Sequence, residues 1–297
     1  MVIAQREARS TGRERSALAL LVVFLGMALL SAAIGWSSHH TVMNVYNETM
    51  REMGTSIPNP FGGVSALDTV RNTTIYIVLI GALLAIVVGV RASVRDRKAG
   101  VTDLIFSRPV KLSSYLAGKL LGAQVWMAVV LVVAGVGSWF SVWVVLGKPL
   151  SAADTAALVG FYALAWLFLL PFCVLGMVSG ARSRHESTAL LAPILIWVAI
   201  TFAVPQLGTA QNPTALMNPT PAVASTNDLF FHANKVVLQP VSVTEHFKHA
   251  SAVLLGLRDA GSSSVTGDLL SLGLIALFSL GALALVTRSS MRRPLYE

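Results

Sequence analysis

Six apolar stretches, each close to the length that carries a helix through a bilayer, limit what this chain can fold into more than any other feature. About 20 apolar residues cross the hydrocarbon core as a helix. The stretches are Ala17 to Trp36, Ile75 to Val90, Leu120 to Leu146, Ala156 to Gly180, Thr188 to Val204 and Leu269 to Thr287. The second is short and reads back through Asn72, Thr73 and Thr74. The fifth carries Pro193 and ends near Pro205, which predicts a kink. The expected fold class is all-α: a polytopic integral membrane protein with six transmembrane helices, in one domain over residues 1–297. Charged residues make up only 12% of the chain and hydrophobic ones 55%, against about 25% charged in a soluble domain. Mean hydropathy is +0.70. The first run also reads as a signal peptide, with Arg13 and Arg15 before it and Ala32-Ala33 after it. The charge pattern fits better if the run stays as a span.

With six spans both termini share one side. If that side is the cytoplasm, the inner segments hold sixteen of the 22 basic residues and the longer outer loops hold six. Basic residues beside spans favour the cytoplasm, so both ends are expected inside. The net charge of +8 is thereby explained by topology and anionic headgroups, and no nucleic-acid partner is expected. The first outer loop, Ser37 to Arg71, is polar and carries Pro58, Pro60 and Gly62-Gly63. The last, residues 206–268, is long. Within it Asp228 to Lys235 and Thr244 to Leu257 read as helical, and Phe247, Val253, Leu254, Leu255 and Leu257 suit the membrane surface or its outer leaflet.

Several classes are disfavoured. No Asp, Glu, Lys, Arg or His sits deep in the six apolar cores, which argues against an ion-coupled carrier. No phosphate-binding P-loop is present: Gly118-Lys119 is followed by Leu120 and lacks the earlier glycine spacing. The chain is not expected to be an enzyme, so any ATP would be hydrolysed in another subunit. One cysteine, Cys173, excludes a disulfide framework.

The segment from residue 91 to 119 stands out. It holds Arg91, Arg95, Arg97, Lys98, Arg108, Lys111 and Lys119 between two spans. Val101, Leu104 and Ile105 follow i, i+3, i+4 spacing, bounded by Gly100 and Pro109. Ser113 or Ser114 is placed to cap a second helix running into the third span. Gly118 and Gly122 form a small-xxx-small pair that permits close packing. The segment reads as a short amphipathic helix that a soluble partner pushes on, or as a loop lying on the inner headgroups.

Here the chain resembles a family. Gly100-Val101-Thr102-Asp103-Leu104-Ile105-Phe106-Ser107-Arg108-Pro109-Val110 looks like the "GTLELLLSRPVSR" stretch of type-2 ABC transporter permeases. Tyr115 to Gly122 is similar to their "YLLGKLLG" continuation, with Val101 where the family usually carries Thr. Ile3-Ala4-Gln5-Arg6-Glu7, followed by Arg13 and Arg15, resembles the opening "IARKELRD…R", and Met217 to Pro221 the "NP-x-P" element after the fifth span. The resemblance implies an exporter's permease subunit in the cytoplasmic or inner membrane. It would work as a homodimer or paired with a close relative. An ABC ATPase subunit that holds ATP and magnesium would dock below, with no cofactor in this chain. It further implies coupling through Gly100, Val101, Asp103, Leu104, Ile105, Arg108 and Pro109, and an interface helix within residues 1–16 using Arg6, Glu7 and Arg13. Residues 181–186 would give a second contact. One branch of the family serves copper-site maturation of nitrous oxide reductase, an alternative role. A membrane scaffold that docks a cytoplasmic protein through the same loop is the rival from another class.

Outside the first span lie His39, His40, Met43, Met50 and Met53; His246 and His249 stand at i, i+3 in the last loop, and Met217 lies before them. Imidazole and thioether suit copper, but no closed ligand set is visible and no metal site is expected. Trp126, Trp139, Trp143, Trp166 and Trp197 read as packing or interfacial anchors.

Overall fold

The computed structural model describes residues 2–12, 15–53, 65–98, 111–183, 185–210, 219, 228–238, 240, 242–257 and 265–290. Among these, every long element is a helix and none is a strand. Six are long and apolar enough to cross a membrane: Leu18–Glu52, Ala66–Arg95, Leu112–Leu146, Ala152–Arg182, Glu186–Thr209 and Val265–Val286. A short helix α1 (Val2–Thr11) precedes α2 (Arg15–Met53). The second span begins as a 3-10 turn (Ala66–Val70), continues through α3 (Thr73–Tyr76) and a π turn (Ile77–Gly81), and ends as α4 (Ala82–Lys98). Then come α5 (Leu112–Leu146), α6 (Ala152–Arg182) and α7 (Glu186–Val198). A second π turn (Ala199–Ala203) leads into α8 (Val204–Thr209), followed by α9 (Leu229–Leu238), α10 (Val243–Leu254) and α11 (Val265–Ser290). Below, the α1 end means the end of the bundle where α4, α6 and α11 finish. The loop end is the opposite one.

The centre of the bundle is a seam between α4 and α6 built on missing side chains. A side-chain carbon on Gly89 would lie 2.0 Å from the Cys173 carbonyl oxygen, and one on Gly176 would lie 2.3 Å from that of Ile86. Gly180 is similarly closed by Val90 and Ser93. Small residues let two backbones meet where lipid gives no hydrophobic drive to associate. Ser93 Oγ adds a hydrogen bond to the Met177 carbonyl at 2.9 Å across the seam. Ala85, Ala92 and Cys173 are fully buried beside it. The second span also meets the fifth, where the Trp197 indole N–H donates to the Val78 carbonyl in the π turn at 3.2 Å. A π turn breaks the regular i to i−4 ladder, which suits this carbonyl to an outside donor.

Three expectations change. Ser37 to Met53 is not loop but the continuation of α2, because no glycine or proline interrupts it before Gly54. Thr41 and Thr49 hydroxyls bond back to the Ser37 and Val45 carbonyls, at 2.9 and 2.8 Å. The 39-residue helix is about 58 Å long, well beyond a hydrocarbon core of about 30 Å. Neither Ser113 nor Ser114 caps α5, since the helix starts earlier, with Lys111 at the N-cap and no side-chain cap bond. Finally, α10 enters the bundle rather than lying on it. Phe247 is fully buried and stacks on Phe168 at 4.4 Å, next to the midpoint of α6. The last loop thus carries Glu245, His246, Lys248 and His249 inside the bundle, although the six apolar cores hold no such residues.

The seam generates a test. Gly176→Val should cost at least about 2 kcal/mol, because the neighbouring atoms are backbone and cannot yield. We expect loss of monodisperse protein in detergent chromatography. Gly137→Ala, with nothing within 4 Å of the new carbon, should behave as the native chain.

Candidate functional site

The residues nominated for coupling, Gly100, Val101, Asp103, Leu104, Ile105, Arg108 and Pro109, lie outside the described residues, as does Arg13. Their supports are described. Residues 99–110 connect the end of α4 to the start of α5 in the chain, and α1 packs against α5 at this end of the bundle. Gly118 and Gly122 make that contact possible, as the sequence spacing suggested. A carbon on Gly122 would meet the Ala4 carbonyl oxygen at 2.5 Å and Glu7 Cβ at 2.6 Å, and one on Gly118 would meet Ile3 at 3.0 Å.

That approach buries a carboxylate. Glu7 is 5% exposed. Arg95 Nη1 from α4 lies 2.9 Å from its Oε1, and Lys119 Nζ from α5 lies 3.8 Å from its Oε2. Arg95 also donates to Ser10 Oγ, and Lys119 donates to the Ala92 carbonyl on α4. The Lys119 ammonium stands 5.0 Å from the centroid of the Tyr115 ring, and Lys119 is 1% exposed. Buried charges are tolerated when paired and hydrogen-bonded, and this node meets both conditions. Its two cations arise just before and just after the 99–110 segment. The node therefore joins α1, α4 and α5.

A second tie runs sideways. Arg91 Nη1 on α4 sits 2.9 Å from Glu186 Oε1 on the first turn of α7, close but not aligned as a hydrogen bond. A carboxylate suits a helix N-terminus electrostatically. Of the 181–186 contact expected from the sequence, Glu186 is thus engaged within the chain, and Arg184 lies outside the described residues. Arg6 is exposed on α1, about 100° round the helix from Glu7.

Sequence reasoning had named Glu7 only through a resemblance and had read Arg95 and Lys119 only as topology signals. One cue was available. Ile3, Ala4, Glu7 and Thr11 share one face of α1, so an acid stood among its small and apolar packing residues. Nothing in the spacing pairs it with residues about 90 and 110 positions away.

At the loop end, His40 stacks on Trp36 at 5.6 Å. His246 and His249 bind one carboxylate: His246 Nδ1 is 2.8 Å from Asp268 Oδ1, and His249 Nδ1 bonds Oδ2. The side chains of His39 and Met53, and Met217, are outside the described residues. Among the described residues no group of three or more His, Cys, Asp and Glu is placed to hold a metal ion. The tryptophans pack: Trp166, Trp139 and Trp197 donate to Gln124, Thr155 and Val78.

A family model described as ABC-2 family transporter protein matches residues 1–285. No curated protein matches the chain.

The node predicts a local loss of order. Glu7→Gln leaves two cations facing a neutral amide, a change worth about 3 kcal/mol at a buried pair. Hydrogen exchange should show residues 2–11 losing protection, while Gln5→Ala, at an exposed position, leaves them protected.

Proposed function

The chain belongs to the ABC-2 transporter family, and we propose that it is the permease subunit of an exporter driven by a separate ABC ATPase. Membership implies a non-catalytic, multi-pass membrane subunit paired with such an ATPase. Sixteen of the 22 basic residues fall, by sequence, in the segments that share the N-terminal side of the six spans, which supports placing that side in the cytoplasm, beneath the cell or inner membrane. The ATPase would dock on residues 99–110, with Val101, Leu104 and Ile105 as its apolar contact and Asp103 and Arg108 as its polar one. Gly100 and Pro109 would end the helix.

The observation that carries this reading is the Glu7 node. A docking segment that transmits force needs rigid supports on both sides, and Arg95 and Lys119 supply them through one buried carboxylate. Closure of the ATPase pair on ATP would move the segment, turn α4 and α5 together, and pass through the α4–α6 seam to the rest of the bundle. The permease would act as a dimer, with itself or a close relative, and its lipid-facing surfaces include α2, where Val22 and Leu30 are exposed.

Affinity purification of the tagged chain from its own membranes tests the assignment. We expect an ATPase subunit to accompany the native chain and to be lost from Leu104→Asp, with the membrane protein intact in both. Absence of an ATPase from the native sample would move the chain to the scaffold class.

A further inference from the structure

Seven of the thirteen residues from Ser242 to Leu254 are polar, yet α10 is enclosed by α6, α11 and the π turn Ala199–Ala203. The polar residues form two rows. Thr244, Lys248 and Ser251 follow i, i+4, i+7 on one face, and Ser242, His246 and His249 follow the same spacing on the opposite face. The charges are matched inside the protein. Lys248 Nζ lies 3.3 Å from Glu245 Oε1, and Asp268 accepts from both imidazoles.

The uncharged groups are not matched. Ser242 Oγ, Thr244 Oγ1, Ser251 Oγ, His246 Nε2 and Thr201 Oγ1 are buried without a hydrogen-bond partner. Thr244 and Ser251 are fully buried, and His246 is 9% exposed. Some helical hydroxyls elsewhere bond back to their own helix, as Thr11, Thr209 and Ser279 do, and Ser31 and Thr74 are buried without a partner like those around α10, but singly rather than as a cluster. Five dry orphans around one helix would forfeit a large share of a protein's net stability. Lipid does not satisfy them, because protein surrounds them.

The chemistry of the missing partner follows. Four groups are hydroxyls, able to donate and accept, and the fifth is a ring nitrogen. Each ionic group already has a partner, Lys248 on Glu245 and Asp268 on two imidazoles. The orphans lie on opposite faces of α10, so one large ligand cannot reach them all, whereas several small hydroxylic molecules can. We propose that α10 is seated in bound water continuous with the solution at the loop end, reaching inward to the level of Phe168. The loop half of the bundle is then wet around α10, and the barrier within this chain is the apolar α4–α6 seam. The proposal concerns the chain itself and stands whether or not an ATPase binds.

Hydroxyl-radical footprinting of the full chain in lipid nanodiscs reads bound water directly. His246 and His249 should be oxidised within about tenfold of the exposed His185, a residue of the same intrinsic reactivity. The buried Met127, far more reactive by nature, should stay unmodified. A His246 as silent as Met127 would overturn the proposal. A second readout needs no radical chemistry. Thr244→Val and Ser251→Ala remove hydroxyls that bind water, and each should lower the melting temperature by about 2–4 °C. In a dry seat the same changes remove unpaired polar atoms, so an unchanged or raised melting temperature in both would also overturn it.

Discussion

The buried carboxylate of Glu7 is the constraint on which the α1 end depends. A carboxylate removed from water must find cations and hydrogen bonds, and it finds them on two different helices. Lys119 also reaches across to the Ala92 carbonyl on α4, so α4 and α5 are tied directly as well as through the carboxylate. The glycines at 118 and 122 are what let α1 come close enough, so packing and electrostatics at this site are one feature. Such pairs add little net stability compared with an apolar contact, but they penalise every arrangement in which one partner is missing. That penalty is what a force-transmitting joint requires: a geometry that resists partial opening.

α4 joins this node to everything else. Its middle turns supply Gly89 to the seam with α6, and its last turns supply Arg91 and Arg95 to the two ionic ties. Rotation or translation of α4 therefore cannot occur without moving α6. The seam leaves no slack, because its contacts are backbone to backbone. The π turns in the second and fifth spans, bridged by Trp197 and Val78, mark the places where the two helices depart from regular geometry. The two halves of the bundle differ in kind: apolar and tightly sealed at the seam, polar around α10.

Much of this was legible in the sequence, for local reasons. Each span announces itself by length and hydropathy, and Gly118 with Gly122 announces a close contact by spacing alone. Helices α9 and α10 were visible in outline for the same reason. What stayed hidden depended on distant partners. The extension of α2 looked like loop because its residues are polar, though nothing in them breaks a helix. The burial of α10 was hidden because its apolar residues, flanked by two polar rows, suit the membrane surface as well as a bundle interior, and only Phe168 and Asp268 show where it sits. The pairing of Glu7 with Arg95 and Lys119 is a tertiary fact with no periodic signature, and the Gly176 and Gly180 repeat in α6 was passed over within a long apolar run.

The central claim is that movement of the 99–110 segment reaches the bundle through Glu7. ATP turnover by the purified membrane assembly, compared between the native chain and Glu7→Gln at equal ATPase content, tests it most directly. If the node transmits the motion, turnover in the variant falls to that of the ATPase alone although the ATPase remains bound. Turnover equal to that of the native assembly would contradict the account.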